Sequence, residues 1–533
     1  MSTAEDDAPH TDDELKAPGA SGPNLTDLGN AERFAAANAA DLRYIHVWRR
    51  SLVWDGKRWA DDDTGEVMRR AARVPLMIAA EAASAGAERR KELWKWAHTS
   101  EGASRLAALV ELAKSRLELV ARPGDFDRDA FLLNVENGTI DLRTGKLGPH
   151  RRADLITKLA AVRYEPTATC PIWEAFLARV LPPLELRAFF QRAIGYSLTA
   201  DTTEHALFLA YGTGANGKTT ALDTIARMLG DYAKTAEATA FLAKEHDSVR
   251  NDLAALVGAR LVLASETEDG RRMGVALVKQ LTGGDALSVR FLYAEFFQLV
   301  PQFKPWIATN YRPIIRGSDE GIWRRVKLIP FTVTIPEAER DTRLPEKLRA
   351  ELPGILRWAV EGCREWLTGG LKPSAEVRAA TAAYREDMDP LRQWIADACA
   401  LEDGAKAGVK ELFESYTTWC KANGDEPLSK RAWGHRLDER GLQSRKNLRG
   451  ARERDGITLA SEFRRQQTPE KVPVGAGVCG VSGANPGNFP YVSLTGEFPE
   501  QTPQTPDASQ QGCQPEREPG SDDEDPPEPR GWA

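Results

Sequence analysis

The segment Gly212-Thr213-Gly214-Ala215-Asn216-Gly217-Lys218-Thr219 decides the fold of this chain. It matches the P-loop pattern G-x-x-x-x-G-K-[ST] at every fixed position. Residues 206–210, just before it, form an apolar run with the length of a buried strand. The residues after it place apolar side chains on one helical face, up to a glycine at position 230: Leu222, Ile225, Ala226 and Leu229. Strand, loop and helix in this order predict an α/β P-loop ATPase core.

The residue types of the loop indicate which ligand it binds. Glycines let backbone N–H groups surround phosphate oxygens, and a helix N-terminus favours anions. Lys218 is expected to reach the β- and γ-phosphates, and the Thr219 hydroxyl to ligate Mg²⁺. A glycine-rich turn without a ligand is the alternative, which the complete match disfavours. We expect ATP and Mg²⁺ to be bound by Gly212, Thr213, Gly214, Ala215, Asn216, Gly217, Lys218, Thr219 and Thr220.

A second apolar segment, residues 260–265, is followed by acidic side chains. An ATPase needs a carboxylate at such a strand end to hold Mg²⁺ or to polarise the attacking water. Most such strands carry an aspartate just before the catalytic acid, where this chain has Ser265. We assign metal binding and water activation to Glu266 and keep Glu268 as the alternative. An acid that only solvates a turn is the other interpretation, which the preceding P-loop disfavours.

Two further segments supply catalytic candidates. Lys304-Pro305-Trp306-Ile307-Ala308-Thr309-Asn310 is typical of a strand that ends in an amide, and Asn310 can there bind the γ-phosphate or the attacking water. Arg324 and Arg325 precede another apolar strand. Arginines beside an ATPase core neutralise transition-state charge, often from a neighbouring subunit. A structural salt-bridge pair is the alternative for these two arginines.

These segments, in this order, resemble superfamily 3 helicases. More narrowly, they resemble the phage/plasmid primase–helicase family, whose motor is shared with poxvirus-type primase–helicases. The resemblance covers roughly residues 25–340 and includes residues 25–31, 137–145, 191–196, 279–285, 308–310 and 323–325. It implies an AAA+-like motor that forms a ring, usually a hexamer, with ATP between subunits. Such a motor translocates on single-stranded DNA and unwinds forked DNA. A phage, prophage or plasmid origin and a bacterial cytoplasm are further implications.

One departure from the family concerns the start of the chain. Many members carry a primase–polymerase domain ahead of the segment at residues 25–31, and only 24 residues precede that segment here. Those residues are rich in Asp, Gly and Pro and are too few for a catalytic domain. The chain is therefore expected to supply the helicase part, with a separate primase or replication protein as a candidate partner.

Composition excludes several protein classes. Six cysteines in 533 residues are scattered without a C-x-x-C pair, so neither a disulfide framework nor a zinc site is expected. The acidic N-terminus lacks the apolar core of a signal peptide, and no apolar run reaches the ~20 residues of a membrane span. The net charge of −7 includes the run Asp522-Asp523-Glu524-Asp525, so it does not exclude local basic surfaces.

Shifts in composition and pattern divide the chain into five segments. Both ends are poor in large apolar residues and are predicted to be disordered. The interior is predicted to hold an α+β accessory domain, the motor, and a helical, winged-helix-like region. The boundaries are 1–24 (disordered), 25–165 (accessory), 166–345 (motor), 346–460 (winged-helix-like) and 461–533 (disordered).

Hairpins and tryptophans mark the predicted accessory domain. Asp55-Gly56 and Asn137-Gly138 are turn signals between strand-like runs, so each predicts a β-hairpin. Trp48, Trp54 and Trp59 lie around the first of them. Packing in half-buried strands is the favoured role of these tryptophans, with stacking on nucleic-acid bases as the alternative.

A basic stretch at the end of the predicted globular region favours DNA binding. Ser429 suits the N-cap of a helix that ends before Gly441, and a basic strand–turn–strand follows. This order is typical of a winged helix, with a solvated charged face as the alternative. Within the motor, a channel hairpin implied by the resemblance adds Lys279 and Arg290. The duplex-contact candidates of the basic stretch are Arg436, Arg440, Arg445, Lys446 and Arg449.

Two other functional classes share part of this pattern. A small-molecule kinase would have the Gly-Lys-Thr loop but would not need Arg324 and Arg325 after an Asn-tipped strand, or a basic C-terminal module. A DNA-binding ATPase that acts as a loader or origin remodeller, without processive unwinding, would have all of these features. The sequence therefore disfavours the kinase and leaves the loader as the alternative to a helicase.

Overall fold

The computed structural model describes residues 22–243, 251–265, 271–290, 296–315, 320–448 and 450–460, with only the backbone at Asn251 and Ser265. Most of the two segments predicted to be disordered, residues 1–21 and 461–533, lies outside this part of the chain. Glu266, Glu268 and Arg449 lie outside it as well. In the described ranges, no helix combines the length and the apolar character needed to cross a bilayer.

The N-terminal part consists of short helices and two small antiparallel sheets, which confirms the predicted α+β character. Thr26 caps the first helix, because its hydroxyl accepts a hydrogen bond from the N–H of Gly29 at 3.1 Å. β1 to β3 form one sheet and β4 to β6 the other. The elements are α1 (Asp27–Asn38), β1 (Leu42–Ile45), β2 (Arg50–Trp54), β3 (Trp59–Asp61), α2 (Glu66–Ala71), α3 (Val74–Ser84), α4 (Ala87–Ser100), α5 (Ala103–Ala113), β4 (Leu132–Val135), β5 (Gly138–Asp141) and β6 (Lys146–Gly148).

Both predicted hairpins are present. The turn between β2 and β3 holds Gly56 at φ +98°, a conformation that L side chains rarely adopt. Its neighbour Asp55 accepts a hydrogen bond from the N–H of Lys57 at 2.7 Å. In the second hairpin, Val135 of β4 pairs with Gly138 of β5. The turn signals thus identified the two connections correctly.

The central part contains a parallel sheet covered by helices. Five strands pair in the order β13–β7–β12–β9–β8, and β10 and β11 form a separate antiparallel hairpin. The elements are α6 (Pro171–Val180), α7 (Leu184–Ser197), β7 (Leu207–Tyr211), α8 (Lys218–Leu229), β8 (Ala233–Glu237), α9 (Asn251–Ala254), β9 (Leu261–Ser265), α10 (Val275–Gly283), β10 (Leu287–Val289), β11 (Phe297–Leu299), β12 (Lys304–Thr309), α11 (Glu320–Trp323), β13 (Val326–Pro330), α12 (Leu344–Ala350), α13 (Leu352–Gly369) and α14 (Ala375–Asp387).

All neighbouring strands of the five-stranded sheet are parallel. Their carboxyl ends therefore lie at one edge, where ligands bind in open α/β sheets. The P-loop leaves β7 at this edge. Both faces of the sheet are covered, which explains why β7 and β12 are apolar along most of their length. This architecture is compatible with the predicted P-loop core.

Helix α13 packs tightly against α7 and belongs to the same hydrophobic core as the sheet. A Cβ atom on Gly195 would lie 2.1 Å from the backbone nitrogen of Cys363. A Cβ atom on Gly362 would lie 2.3 Å from the carbonyl oxygen of Gln191. Only glycines permit this approach of the two helices. The core of the sheet thus extends past residue 345, where the sequence predicts a domain boundary.

The C-terminal part of the described chain has its own apolar core around Trp394, Tyr416 and Trp433. β14, β16 and β15 pair antiparallel in that order. Ser429 is the N-cap of the last helix, as predicted, and accepts a hydrogen bond from the N–H of Ala432 at 3.3 Å. The elements are α15 (Pro390–Ala398), β14 (Cys399–Gly408), α16 (Val409–Ala422), α17 (Lys430–Glu439), β15 (Ser444–Lys446) and β16 (Arg452–Leu459).

Candidate functional site

The glycine-rich loop after β7 has a shape that only glycine permits at several positions. Gly214 and Gly217 have φ of +111° and +80°. A Cβ atom on Gly212 would lie 2.3 Å from the carbonyl oxygen of Phe331, and one on Gly217 would lie 2.8 Å from the side chain of Val180. The loop is therefore packed against its surroundings and ends at the N-terminus of α8. Such a backbone presents N–H groups to an anion.

Lys218 lies inside this loop, although it is charged. Its ammonium group donates to the carbonyl oxygen of Gly212 at 2.6 Å, to Oδ1 of Asn216 at 3.1 Å and to Oδ1 of Asn310 at 3.0 Å. Asn216 in turn donates from Nδ2 to the carbonyl oxygen of Phe331 at 3.2 Å. The three described acceptors of the ammonium group are all oxygens. Oxygens of a phosphate chain have the same chemistry.

The contact between Lys218 and Asn310 brings together two catalytic candidates that are 92 residues apart. β12 lies next to β7 in the sheet, with Thr309 opposite Tyr211. Asn310 follows β12 directly and therefore reaches the loop that follows β7. The same edge receives β9, whose Ser265 is opposite Ala308. The carboxylate candidates Glu266 and Glu268 lie outside the described residues.

The outer side of the loop is accessible. Thr213, Ala215 and Thr219 are exposed, and Thr220 is half-buried. A hydroxyl at the start of α8 with access to solvent, as Thr219 has, fits the metal-ligating role expected of it. Clusters of three or more His, Cys, Asp or Glu side chains that could hold a metal ion are absent from the described ranges.

A cavity of about 150 Å³ opens beside Thr219 and Thr220, a feature that the sequence did not predict. Burial raises the pKa of the Asp223 carboxyl in its wall, with a smaller opposing effect of Arg227. Arg349 reaches the cavity from α12, which is far from the P-loop in sequence. The one sequence signal for this cavity is the spacing of Thr220, Asp223 and Arg227, which places polar side chains on one face of α8.

Arg324 and Arg325 lie at the other edge of the sheet. The strand β13 that follows them runs parallel to β7, with Val326 opposite Leu207. The carbonyl oxygen of Arg325 accepts from the N–H of Leu207 at 2.9 Å. The two arginines are thus separated from the P-loop edge by the length of a five-residue strand, roughly 16 Å. Within one chain, the structure does not bring them to Lys218.

The two arginines differ from each other in their surroundings. Arg325 is buried, and its guanidinium donates to Oγ1 of Thr282 at 3.0 Å and to the carbonyl oxygen of Gly321 at 2.6 Å. Burial lowers the pKa of this guanidinium, and Arg324 beside it adds to the decrease. Arg324 is exposed. Arg325 therefore joins α10 to β13, whereas Arg324 is presented to solvent.

The DNA-contact candidates in the motor lie on α10 and on the β10–β11 hairpin. Lys279 is half-buried in α10. Arg290 directly follows β10, and its guanidinium lies 4.9 Å from the centre of the Phe296 ring. A hairpin is therefore present between α10 and β12, as expected from the family resemblance. Residues 291–295, which include most of its expected tip, lie outside the described part of the chain.

The candidates for duplex contacts in the C-terminal part fall into two groups. Arg440 donates to Oδ2 of Asp389 at 2.6 Å, and Arg436 approaches Oδ1 of the same carboxylate at 3.9 Å. Asp389 also caps α15, so these arginines join α17 to α15. Arg445 and Lys446 are exposed on β15, and Arg445 pairs with Asp455 at 3.2 Å. The fifth candidate, Arg449, is outside the described residues.

Two buried cations near the sheet were not identified from the sequence. Lys304, at the start of β12, donates to the carbonyl oxygens of Thr199 and Asp201. Arg260 donates to the carbonyl oxygen of Leu198 at 2.7 Å. Both thereby satisfy carbonyl groups just after the C-terminus of α7, where positive charge is favourable. Burial lowers the pKa of Lys304 well below its usual value, and Arg260 lowers it further.

The surroundings of Trp59 test whether this tryptophan could stack on nucleic-acid bases. It is fully buried, and its indole N–H donates to the carbonyl oxygen of Arg152 at 3.0 Å. Its ring packs against Trp54 and Phe126 at 6.0 and 6.4 Å between centroids. This tryptophan therefore packs within the fold, which leaves no open ring face for a base.

Two protein families and a solved structure match this chain. Residues 31–182 match the family described as "D5 N terminal like", and residues 210–325 match the "Family of unknown function (DUF5906)". The second match contains the P-loop, Asn310 and both arginines. The solved structure, the apo A form of the NrS-1 C-terminal region, covers 78% of this chain and 96% of its own, with 9% identity and a TM-score of 0.41.

Relatives come from large DNA viruses. "Putative helicase L207/L206" of Acanthamoeba polyphaga mimivirus is 27% identical over 324 residues, 56% of this chain and 34% of the relative. "Putative helicase 022R" of Frog virus 3 is 25% identical over 281 residues, 49% of this chain and 29% of the relative. "Putative primase C962R" of African swine fever virus is 23% identical over 327 residues, with 56% and 34% covered. The matched part of this chain spans about a third of these relatives. The two family matches and these relatives support assigning the chain to a primase–helicase family.

Proposed function

We propose that this chain is an ATP-dependent DNA helicase of superfamily 3 that acts in replication. The observation that carries the proposal is the contact of Lys218 with Asn310 inside a P-loop closed by glycines. It joins the phosphate-binding lysine to a polar strand end on the neighbouring strand. The viral relatives named as helicases and a primase support a role in replication for this chain.

Several structural features support our proposal of a Mg²⁺-bound triphosphate at this site. Gly214 and Gly217 have φ of +111° and +80°, a backbone shape that can turn N–H groups toward a phosphate. Lys218 would exchange the oxygens of Gly212 and Asn310 for those of the β- and γ-phosphates. Thr219 would ligate the metal with its exposed hydroxyl. Bound Mg²⁺ would neutralise charge on the phosphates and on the leaving group.

The hydrolytic step would use groups at the carboxyl edge of the sheet. Glu266, or Glu268 in its place, would accept a proton from the attacking water. Asn310, released from Lys218 when a triphosphate is bound, would hydrogen-bond the γ-phosphate or that water. In this proposal the amide changes partners between the empty and the loaded site. The position of Asn310, which directly follows β12, would then depend on whether a triphosphate is bound.

We infer that Arg324 acts on the ATP of a neighbouring subunit. It is exposed and lies at the sheet edge remote from its own P-loop, so it can serve a site only in another copy. Arg325 is held by Thr282 and Gly321 and would position Arg324 through the backbone. A ring, with a hexamer as the expected size, would meet this requirement at every interface. An arginine supplied in trans stabilises transition-state charge.

We propose a winged helix for the C-terminal module. The order α15–β14–α16–α17–β15–β16 gives three helices and a three-stranded antiparallel sheet, with α17 followed by a strand–turn–strand. In helix-turn-helix modules, the second helix of the pair enters the major groove. Here α17 would be that helix, and the exposed cations of β15 and β16 would contact duplex phosphates. Lys279 and Arg290 would contact single-stranded DNA in the motor.

One experiment separates this function from a loader or origin remodeller. ATP hydrolysis is measured with and without single-stranded DNA, beside strand displacement from a forked duplex, with Lys218→Ala as the inactive control. A helicase shows DNA-stimulated hydrolysis and displacement that depends on ATP. Stimulated hydrolysis without displacement would favour the loader, and hydrolysis indifferent to DNA would contradict both.

A further inference from the structure

The turn between β15 and β16 carries a leucine that no part of the described chain covers. Leu448 has a relative exposure of 109%, compared with 88% for Leu117 and 59% for Leu401. It is thus the most exposed large apolar side chain in the described residues. Exposing an isobutyl group to water is unfavourable, and burying it on a partner stabilises a complex.

Hydrogen bonds close the base of the turn that carries this leucine. The carbonyl oxygen of Ala451 accepts from the N–H of Asn447 at 2.8 Å, and Oδ1 of Asn447 accepts from the N–H of Ala451 at 2.9 Å. Nδ2 of Asn447 donates to Glu453 at 2.6 Å. Gly450 has φ +78°. These hydrogen bonds, and one from the N–H of Gly450 to the carbonyl oxygen of Asn447 at 3.0 Å, close the base of the turn that carries Leu448.

Unpaired positive charge flanks the leucine. Lys446 of β15 lies directly opposite Arg452 of β16, and both side chains are exposed. Like charges in this register destabilise a strand pair. Among the described residues, neither cation forms an ion pair. The acids of the same strands are occupied, because Asp455 pairs with Arg445 at 3.2 Å and Glu453 accepts from Asn447.

An apolar tip between two unpaired cations suits a particular ligand. The phosphates of a duplex would neutralise Lys446 and Arg452 on both sides of the tip. The faces of the stacked bases are a large apolar surface of DNA, and Leu is among the side chains that proteins insert between them. A membrane surface fits less well, since stable attachment requires more apolar area than one leucine provides.

We propose that Leu448 is a wedge that enters the minor groove of duplex DNA and partly unstacks one base step. This inference rests on the proposed DNA-binding role of the C-terminal module and adds a local distortion of the duplex. Lys446 and Arg452 hold the flanking phosphates, and Leu448 takes the place of a stacking contact. The side chain discriminates sequence only through the cost of unstacking, which is lowest at pyrimidine–purine steps.

The test uses the full chain and a short duplex that carries 2-aminopurine at a TA step, whose fluorescence rises when it is unstacked. Wild-type protein is expected to raise the fluorescence. Leu448→Ala is expected to bind about fivefold more weakly and to leave the fluorescence unchanged, whereas Leu448→Phe restores both. Leu117→Ala, which removes a similarly exposed leucine from the N-terminal part, is the matched control and should behave as wild type.

The salt dependence of duplex binding separates the proposed insertion of Leu448 from the proposed DNA-binding role of the C-terminal module. Lys446→Gln with Arg452→Gln is expected to reduce the slope of log affinity against log salt by nearly two, whereas Leu448→Ala leaves the slope unchanged. If Leu448→Ala keeps wild-type affinity and fluorescence while the double variant has a smaller slope, the wedge is wrong and the DNA-binding module stands. If neither variant changes binding, both proposals fail. Binding of anionic phosphatidylserine vesicles that depends on Leu448, without a fluorescence rise, would also overturn the wedge.

Discussion

The ammonium group of Lys218 lies 3.0 Å from the amide oxygen of Asn310, across two neighbouring parallel strands. In the proposed site, this contact is exchanged for phosphate contacts when ATP binds. Lys218→Ala is expected to weaken ATP binding and to lower hydrolysis by about a hundredfold or more, because the charge on the β- and γ-phosphates is no longer neutralised. Nucleotide affinity and steady-state hydrolysis are the measurements.

Asn310→Ala separates the two halves of that contact. It leaves Lys218 in place, so ATP should bind with near-normal affinity while turnover falls about tenfold or more. Equal losses of affinity and turnover would mean that Asn310 only positions Lys218. Thr309→Ser, one residue earlier on β12, controls for disturbance of the strand end.

The acid that activates water is expected to be Glu266. Glu266→Gln preserves shape but cannot accept a proton, so the variant should bind ATP normally and fail to hydrolyse it. The matching variant Glu268→Gln should retain activity. Wild-type hydrolysis by Glu266→Gln, with loss in Glu268→Gln, would transfer the role to Glu268. Binding is followed with a fluorescent nucleotide and turnover by phosphate release.

Arg324 and Arg325 are predicted to fail in different ways when replaced. Arg325→Ala removes two hydrogen bonds of a buried guanidinium and should destabilise the protein by about 2 kcal/mol, visible as a lower unfolding temperature. Arg324→Ala should leave the unfolding temperature unchanged and abolish hydrolysis. Co-expression of Arg324→Ala with Lys218→Ala chains should partly restore ATPase activity, since some interfaces then join an intact arginine to an intact P-loop. No complementation, together with a monomer by size under ATP and DNA, would contradict a ring.

Much of this site follows from sequence because its parts are local. The P-loop, with the strand before it and the helix after it, lies within about 25 residues, and each piece has its own pattern. Asn310 is far away in the chain, yet a polar residue at the end of an apolar strand is expected at the same edge once the sheet is parallel. Knowing which segments are strands was therefore enough to place Asn310 at the edge of the P-loop, without knowing the order of the strands in the sheet.

Other features depend on long-range partners that no local pattern shows. Arg324 and Arg325 precede their strand, so their place at the remote edge required the direction of β13 relative to β7. Arg436 and Arg440 look like a basic helical face, but Asp389, some 50 residues earlier, occupies them. Lys304 begins an apolar strand, and the carbonyl groups that hold it come from the end of α7, more than 100 residues before it.

Lys304 gives a prediction about stability and pH. Burial lowers the pKa of this lysine in the folded chain well below its usual value. Between the lowered pKa and the ordinary value of about 10.4, the unfolded chain binds more protons than the folded one. Stability therefore rises with pH in that window. The free energy of unfolding is measured with denaturant for wild type and for Lys304→Met. The value for wild type minus the value for the variant should increase from pH 7 to pH 9. Lys91→Met, on the exposed side of α4, controls for the loss of one lysine, and a difference that falls with pH would contradict the prediction.

The last prediction concerns the two groups of basic residues in the C-terminal module. Arg436 and Arg440 share the carboxylate of Asp389, so changing both to Gln should loosen the contact of α17 with α15 and lower the unfolding temperature of this module. The salt dependence of duplex binding should change little.

Arg445, Lys446 and Arg449 changed together to Gln should instead weaken the salt dependence of duplex binding. Stability should change little, because Lys446 is exposed and Arg445 forms only a surface ion pair with Asp455. The slope of log affinity against log salt should fall by nearly one for each phosphate that the variant no longer neutralises. Basal ATPase activity is the control for both variants and should stay at the wild-type rate. An unchanged slope in the second variant would mean that this strand–turn–strand is a solvated surface, and that duplex DNA is held elsewhere on the chain.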